Sequence, residues 1–265
     1  MYSPFQLAKK YFHYYFTASN AKGHGVHSPF VFDFIKNVLN DKKNYECYGP
    51  IEKLRNKLLK NKSSVSIIDF GAGSRSHWDM VRRISDIAKT SLKPKKYSQL
   101  LFRIVQYYKP KTIIELGTSF GITTSYLAFA NPSAKIITME GAPSVADMAE
   151  ENFKQLELKN IEIKKGNINK MLTPTIEQLS IIDFSFIDGN HRKDPTIYYF
   201  EELINKANDQ SIFIFDDIHW SAEMEGAWKE IQQHPSVTLT IDLFFIGLVF
   251  FKKDFKAKQH FVIRF

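Results

Sequence analysis

From Lys111 onward, short apolar runs alternate with longer stretches in which apolar residues recur every three or four positions. The runs predict strands over 112–116, 135–140, 161–165, 183–188 and 211–215. The longer stretches predict helices near 121–130, 144–156, 170–179, 195–207 and 222–234. The β-branched run Thr112-Ile113-Ile114 suits a strand covered on both faces. Strict alternation of this kind implies a parallel sheet with helices on both faces. The end of the chain departs from the pattern. Runs at 237–244 and 246–252 leave no room for a crossover and predict an antiparallel hairpin. Phe261 to Phe265 alternates apolar and polar residues and suits an added edge strand. The expected fold is therefore α/β, a doubly wound, mostly parallel seven-stranded sheet with a C-terminal antiparallel hairpin.

The preceding residues read differently, as a largely helical region. Residues 1–96 are assigned to it and 97–265 to the core domain. Residues 1–20 hold seven aromatics with Lys9 and Lys10 and read as a helix. Packing on the domain is its default role; pairing with a second subunit and lying on a membrane surface are the alternatives. Ser28 suits a helix cap with Pro29 in the first turn, and Phe30 to Leu39 continues the helix. His24 and His27 beside it read as hydrogen-bonded structure, with a metal or substrate role left open. Helices follow over 51–61 and 98–108, the second ended by Pro110.

Composition narrows the class. The 265 residues carry one cysteine, Cys47, which excludes an internal disulfide and fits a reducing compartment. The N-terminus lacks an uninterrupted apolar core, and no run of apolar residues is long enough to span a membrane, so a cytoplasmic location is expected. The net charge of +8 is uneven: residues 1–110 carry 20 Lys+Arg against 7 Asp+Glu, and the remainder is net acidic. Basic surplus in one region suits an anionic partner such as nucleic acid or an acidic lipid surface, although scattered lysines equally suit a solvated surface.

The stretch Ile113-Ile114-Glu115-Leu116-Gly117-Thr118-Ser119-Phe120-Gly121 reads as a strand, a glycine-bearing turn and a helix N-terminus. Such a turn lets a ligand approach the backbone, and the helix start presents free N–H groups. The next strand ends in Glu140, 19 residues after Gly121, where a carboxylate can accept both ribose hydroxyls of a nucleoside. Ser119 replaces the middle glycine of a dinucleotide fingerprint. Ile67-Ile68-Asp69-Phe70-Gly71-Ala72-Gly73-Ser74 imitates the turn. No helix and acid-ended strand follow it, so it is read as a strand or turn and not as a second cofactor site.

Glu-Leu-Gly-x-x-x-Gly followed by a strand ending in Glu resembles the class I S-adenosylmethionine-dependent methyltransferases, above all their catechol and macrocin O-methyltransferase branch. The resemblance covers about residues 97–252. It implies a cofactor site built from Glu115, Gly117, Ser119, Gly121, Glu140, Gly166, Asn167 and Asp188, with Tyr97 and Ser98 near the cofactor carboxylate. Asp188, Asp216 and Asp217 match the acids that hold Mg²⁺ in the metal-dependent members. Oxygen ligands suit that ion, and converging carboxylates repel one another without a cation.

Two roles stay open for these acids. Asp217 could cap a helix, and Asp188 could contact the cofactor directly. His219 is then the preferred general base and His191 the alternative. Trp220 shields the site or packs as core.

The expected activity is O-methylation of a hydroxyl on a small-molecule or sugar-like acceptor, with S-adenosylmethionine and with Mg²⁺ assistance as an option. An RNA or nucleotide methyltransferase recruited through the basic N-terminal region is the alternative, not favoured because no Asn-Pro-Pro-Tyr-like motif or cysteine pair is present. A non-catalytic cofactor- or partner-binding role is the third. A homodimer is compatible with the aromatic N-terminus.

Overall fold

The structure, a computed structural model, describes residues 1–20, 27–67 and 80–265. The chain forms two compact units, one of Met1–Asp41 with Thr175–Phe265, the other of Lys42–Pro174. The fold is α/β, a mostly parallel multistranded sheet with antiparallel strands at the end and covering helices.

The first unit opens with α1 (Pro4–Thr17). Ser3 and Gln6 form a reciprocal capping box, and Pro4 occupies the first turn, where its missing N–H costs nothing. Leu7, Tyr11, Tyr14 and Ala18 lie on one face and join Phe244 and Phe245 in a local core. The expected packing of the aromatic helix is thus present for that face. Ser28 caps α2 (Pro29–Phe34) as its sequence predicts, and one π-type turn, Ile35–Leu39, continues it. His24 lies outside the described residues.

In the second unit, α3 (Tyr48–Lys60) leads to an antiparallel hairpin of β1 (Ser64–Ile67) and β2 (Met80–Arg83). Asp69, Gly71 and Gly73 of the imitation turn fall outside the described residues. The strand that follows them pairs antiparallel with β1, unlike the acid-ended parallel strand of a nucleotide site. Next come α4 (Ile84–Ser91) and α5 (Lys95–Tyr108). β3 (Thr112–Leu116) and β4 (Lys135–Glu140) flank α6 (Ile122–Ala130). α7 (Pro143–Gln155) and β5 (Ile161–Lys165) follow, then α8 (Ile168–Glu177). β4 lies between β3 and β5, all parallel, so the C-terminal ends of the three strands share one edge. β3 is buried from Ile113 to Leu116, which explains its unbroken β-branched run.

The first unit resumes with β6 (Phe184–Ile187), α9 (Lys193–Ile204), β7 (Ile212–Asp216) and α10 (Ala222–Gln233). β8 (Leu239–Asp242), β9 (Ile246–Phe250) and β10 (Gln259–Val262) complete it. β6 and β7 are parallel; β9 is antiparallel to both β7 and β8, which is the predicted hairpin. β10 is the added edge strand expected beyond the seven, although it spans Gln259–Val262 and not Phe261–Phe265. It lies parallel to β8, and the Ser19–Ile263 bridge ties the end of α1 to it.

Candidate active site

The glycine turn of the second unit emerges where β3 ends. Gly117 (φ 102°), Ser119 (φ 48°) and Gly121 (φ 77°) all adopt left-handed backbone. Such conformations cost little for glycine and more for other residues. Ser119 nevertheless sits there, with its N–H donating to Glu140 Oε2 at 2.7 Å and its hydroxyl bonded to Ser91 Oγ at 2.7 Å. Gly121 is pinned by sterics as well: a Cβ there would come within 2.3 Å of the Phe153 ring.

Glu140, at the end of β4, also accepts the Ala142 N–H at 2.9 Å through Oε1. Its carboxylate is therefore fixed at the edge where the turn opens. Glu140 accepts from Gly166 through its backbone carbonyl at 2.8 Å, bringing the loop after β5 to the same edge. Gly166 is left-handed (φ 133°), and the Asn167 carbonyl starts α8 by accepting from Lys170 and Met171. The predicted cofactor residues of this unit thus share one strand-end edge, the place where ligands bind in parallel α/β sheets.

Glu115 sits one layer deeper and is fully buried. Thr124 and Thr138 donate hydroxyls to its Oε2, and Thr118 extends the chain by donating to Thr138 at 2.6 Å. Oε1 has no hydrogen-bond partner among the described residues. Burial is the main reason its carboxyl titrates high, at about 7; the two threonine bonds oppose that shift, and the charge of Glu140 adds to it. Ser98 is committed elsewhere, accepting from Arg55 Nη2 at 3.1 Å and donating to the Lys93 carbonyl. Tyr97 is buried.

The second cluster belongs to the first unit. Asp188 follows β6, and Asp216 ends β7. With His191 they form a trio whose ligand atoms lie within 4.8 Å of one another. His191 Nε2 is 3.5 Å from Asp188 Oδ1, and its Nδ1 is 3.9 Å from Asp217 Oδ2. The trio departs from the predicted acid set in one member: His191 stands with the two acids in place of Asp217. The backbone explains this. Asp217 turns into the left-handed region (φ 52°) directly after the strand and is held by its N–H on the Phe245 carbonyl. The loop Asn190–His191, itself at positive φ, brings the imidazole in. Two carboxylates and one imidazole make an acceptable donor set for a divalent cation, less exclusively suited to Mg²⁺ than three carboxylates.

His219, the preferred base from the sequence, has both ring nitrogens engaged. Nε2 bonds Asp242 Oδ2 at 2.8 Å and Nδ1 bonds Glu225 Oε1 at 3.1 Å, while the ring stacks on Phe244. Burial alone would lower its pKa, but the bonds and charges of Asp242 and Glu225 outweigh that and raise it. Glu225 also accepts from Tyr2 Oη at 2.7 Å and from Lys10 Nζ at 2.9 Å. This five-residue network is structural in geometry and leaves His219 no nitrogen for a substrate proton. Nothing in the sequence signals it, because Tyr2, Lys10, His219, Glu225 and Asp242 meet only through tertiary packing. Trp220 joins Leu7, Asp217, His219, Phe244 and Phe245 around a small recess under α1.

Residues 114–218 match the sequence model of a family described as a methyltransferase domain. That match is in keeping with the resemblance read from Glu115–Gly121 and Glu140. Among individual relatives, it is 29% identical over 126 residues to a catechol O-methyltransferase of Niastella koreensis, a stretch covering 46% of this chain and 55% of the relative. It is 32% identical over 109 residues to a tRNA (guanine-N(7)-)-methyltransferase of Mycoplasma mobile, covering 41% and 52%. The chain spans about half the length of the curated relatives it matches. The structure of a Podospora anserina methyltransferase, solved with S-adenosylhomocysteine bound, shares the fold over 96% of this chain and 98% of that one, with a TM-score of 0.60 and 13% identity.

Proposed function

We propose that this protein is an S-adenosylmethionine-dependent O-methyltransferase acting on a hydroxyl of a small-molecule acceptor. The observation that carries this reading is the strand-end edge at which Glu140 is fixed beside the left-handed turn Gly117–Gly121. Gly117 and Gly121 carry no side chain over the turn, and Glu140 would offer its carboxylate to the ribose hydroxyls. Gly166 and Asn167 would border the adenine. The cofactor supplies an electrophilic methyl group. Buried Glu115 supports the turn through Thr138 and Thr118 and would add negative charge to the cofactor's surroundings when ionised.

On the acceptor side, Asp188, His191 and Asp216 fit a divalent cation, Mg²⁺ or Mn²⁺, which would supply Lewis acidity toward the acceptor hydroxyl. Without a cation, His191 would take the acceptor proton, at Nε2 or Nδ1, which lie 3.5 Å from Asp188 and 3.9 Å from Asp217 among the described residues. The base role thus passes from His219 to His191. The protein's further task is to hold the acceptor oxygen in line with methyl and sulfur.

The test is transfer of labelled methyl from S-adenosylmethionine to catechols and other hydroxylated compounds, with Mg²⁺, with Mn²⁺ and with EDTA. Loss in EDTA together with loss in Asp216→Asn supports the cation. Metal-independent turnover that falls roughly 10²–10⁴-fold in His191→Ala supports the base. The tRNA-directed relative and the basic surplus of residues 1–110 favour a second reading, RNA as acceptor. Label appearing on RNA with steep salt dependence, and on no hydroxyl compound, would establish it in place of the first.

A further inference from the structure

Helix α1 is apolar on two opposite faces. At 100° per residue, Leu7, Tyr11, Tyr14 and Ala18 point one way, into the core formed with Phe244 and Phe245. Phe5, Phe12 and Phe16 fall within a narrow arc on the other side, and they are 80%, 61% and 76% exposed. Tyr15 is also exposed, and the Phe16 ring packs edge-on against it. A ridge of three phenylalanines in water is not needed to hold the helix down, because the inner face and the Tyr2, Lys10–Glu225 bonds already do that. Exposed apolar ridges on a folded protein mark an interaction surface.

The charged side chains of α1 itself are all basic. α1 contains no acidic residue. Lys9 and His13 are exposed along one flank of the ridge. At the other end, the Arg264 guanidinium lies 4.3 Å from the Tyr15 ring centroid, beside Phe16. An aromatic ridge flanked by cations is the composition of a helix lying in the headgroup region of an anionic bilayer. A second copy is a poorer occupant. Three phenylalanine side chains offer on the order of 500 Å², short of the roughly 800 Å² per partner of a stable interface. A two-fold pairing through the ridge would also set Lys9 and His13 of the two copies near their equivalents.

We propose that the outer face of α1 docks this protein reversibly onto an anionic phospholipid surface, with Phe5, Phe12 and Phe16 inserted and Lys9 and Arg264 at the headgroups. No described helix is long and apolar enough to cross a membrane, so the contact is peripheral. This inference is independent of the methyltransferase reading.

The experiment is sedimentation of the full chain with phosphatidylcholine vesicles, with and without phosphatidylglycerol. Wild type is expected to pellet only with the anionic vesicles and to be released by salt. Phe12→Ser/Phe16→Ser and, separately, Lys9→Glu are expected to lower vesicle affinity roughly tenfold or more. Melting temperature reports folding: the substituted side chains are exposed, so it stays at the wild-type value. Absence of wild-type protein from both pellets overturns the proposal. A concentration-dependent dimer that Phe12→Ser/Phe16→Ser converts to monomer, with no vesicle binding, assigns the ridge to a second copy and also overturns it.

Discussion

Replacing Gly121 by alanine tests whether the turn is built as described. Two separate costs follow from the structure. The backbone at Gly121 is left-handed (φ 77°), which costs an L-residue about 1–2 kcal/mol. The added Cβ would also lie 2.3 and 2.6 Å from two atoms of the Phe153 ring and 3.3 Å from Ala149 Cβ. Phe153 lies on the buried face of α7, so it cannot simply swing into solvent. Overpacking of this kind costs about 1–3 kcal/mol. The sum is about 2–5 kcal/mol, a fall of roughly 5–15 °C in melting temperature for a chain of this size.

Urea denaturation followed by circular dichroism gives the free energy, and a double-mutant cycle separates the parts. In Gly121→Ala/Phe153→Leu the steric share should be recovered while the backbone share remains, giving a coupling energy of about 1–3 kcal/mol. A Gly121→Ala variant within about 0.5 kcal/mol of wild type would refute the close approach of α6 and α7. A cost without coupling to Phe153 would leave only the backbone part standing.

Two further outcomes follow. Burial raises the Glu115 pKa from 4.5 to about 7, so folding favours its protonated form. That contribution is fully present below pH 4.5 and is lost as pH rises through about 7, an effect of about 3 kcal/mol. Glu115→Gln should flatten the stability profile over that window, and parallel profiles for the two proteins would contradict the assignment. The Tyr14 hydroxyl is buried, donates to the Ile263 carbonyl and accepts the Phe265 N–H. Tyr14→Phe leaves those backbone groups without it and should cost about 1–3 kcal/mol in urea denaturation; a neutral result would mean that the C-terminal strand is not anchored to α1 through this hydroxyl.

Much of the core fold was legible because burial writes itself into the sequence. β3 and β4 occupy the predicted 112–116 and 135–140, since strands covered on both faces need continuous apolar runs. Glu140 was legible because it ends such a run at a fixed distance after the turn. β2 was not. Its residues Met80–Arg83 include exposed Val81 and two arginines, and a solvent-facing hairpin carries no burial signal. α8 begins two residues before its predicted start and holds Pro174 within it.

In the site, Asp188 and Asp216 could be found from strand ends. His191 joins them because of two consecutive positive-φ residues, which no local pattern announces. The surroundings of His219 were not legible either. Its place beside two acids looked like chemistry, but Glu225, on the following helix, and Asp242, at the end of the next strand, take both nitrogens.

The most direct test of the central claim is calorimetric titration of S-adenosylhomocysteine into wild type and Glu140→Ala. Saturable binding by wild type that is lost in Glu140→Ala, with the variant still folded by circular dichroism at the titration temperature, is the result expected from a nucleoside held at the edge of β4. Absence of binding to wild type, or equal binding by the two proteins, would contradict it.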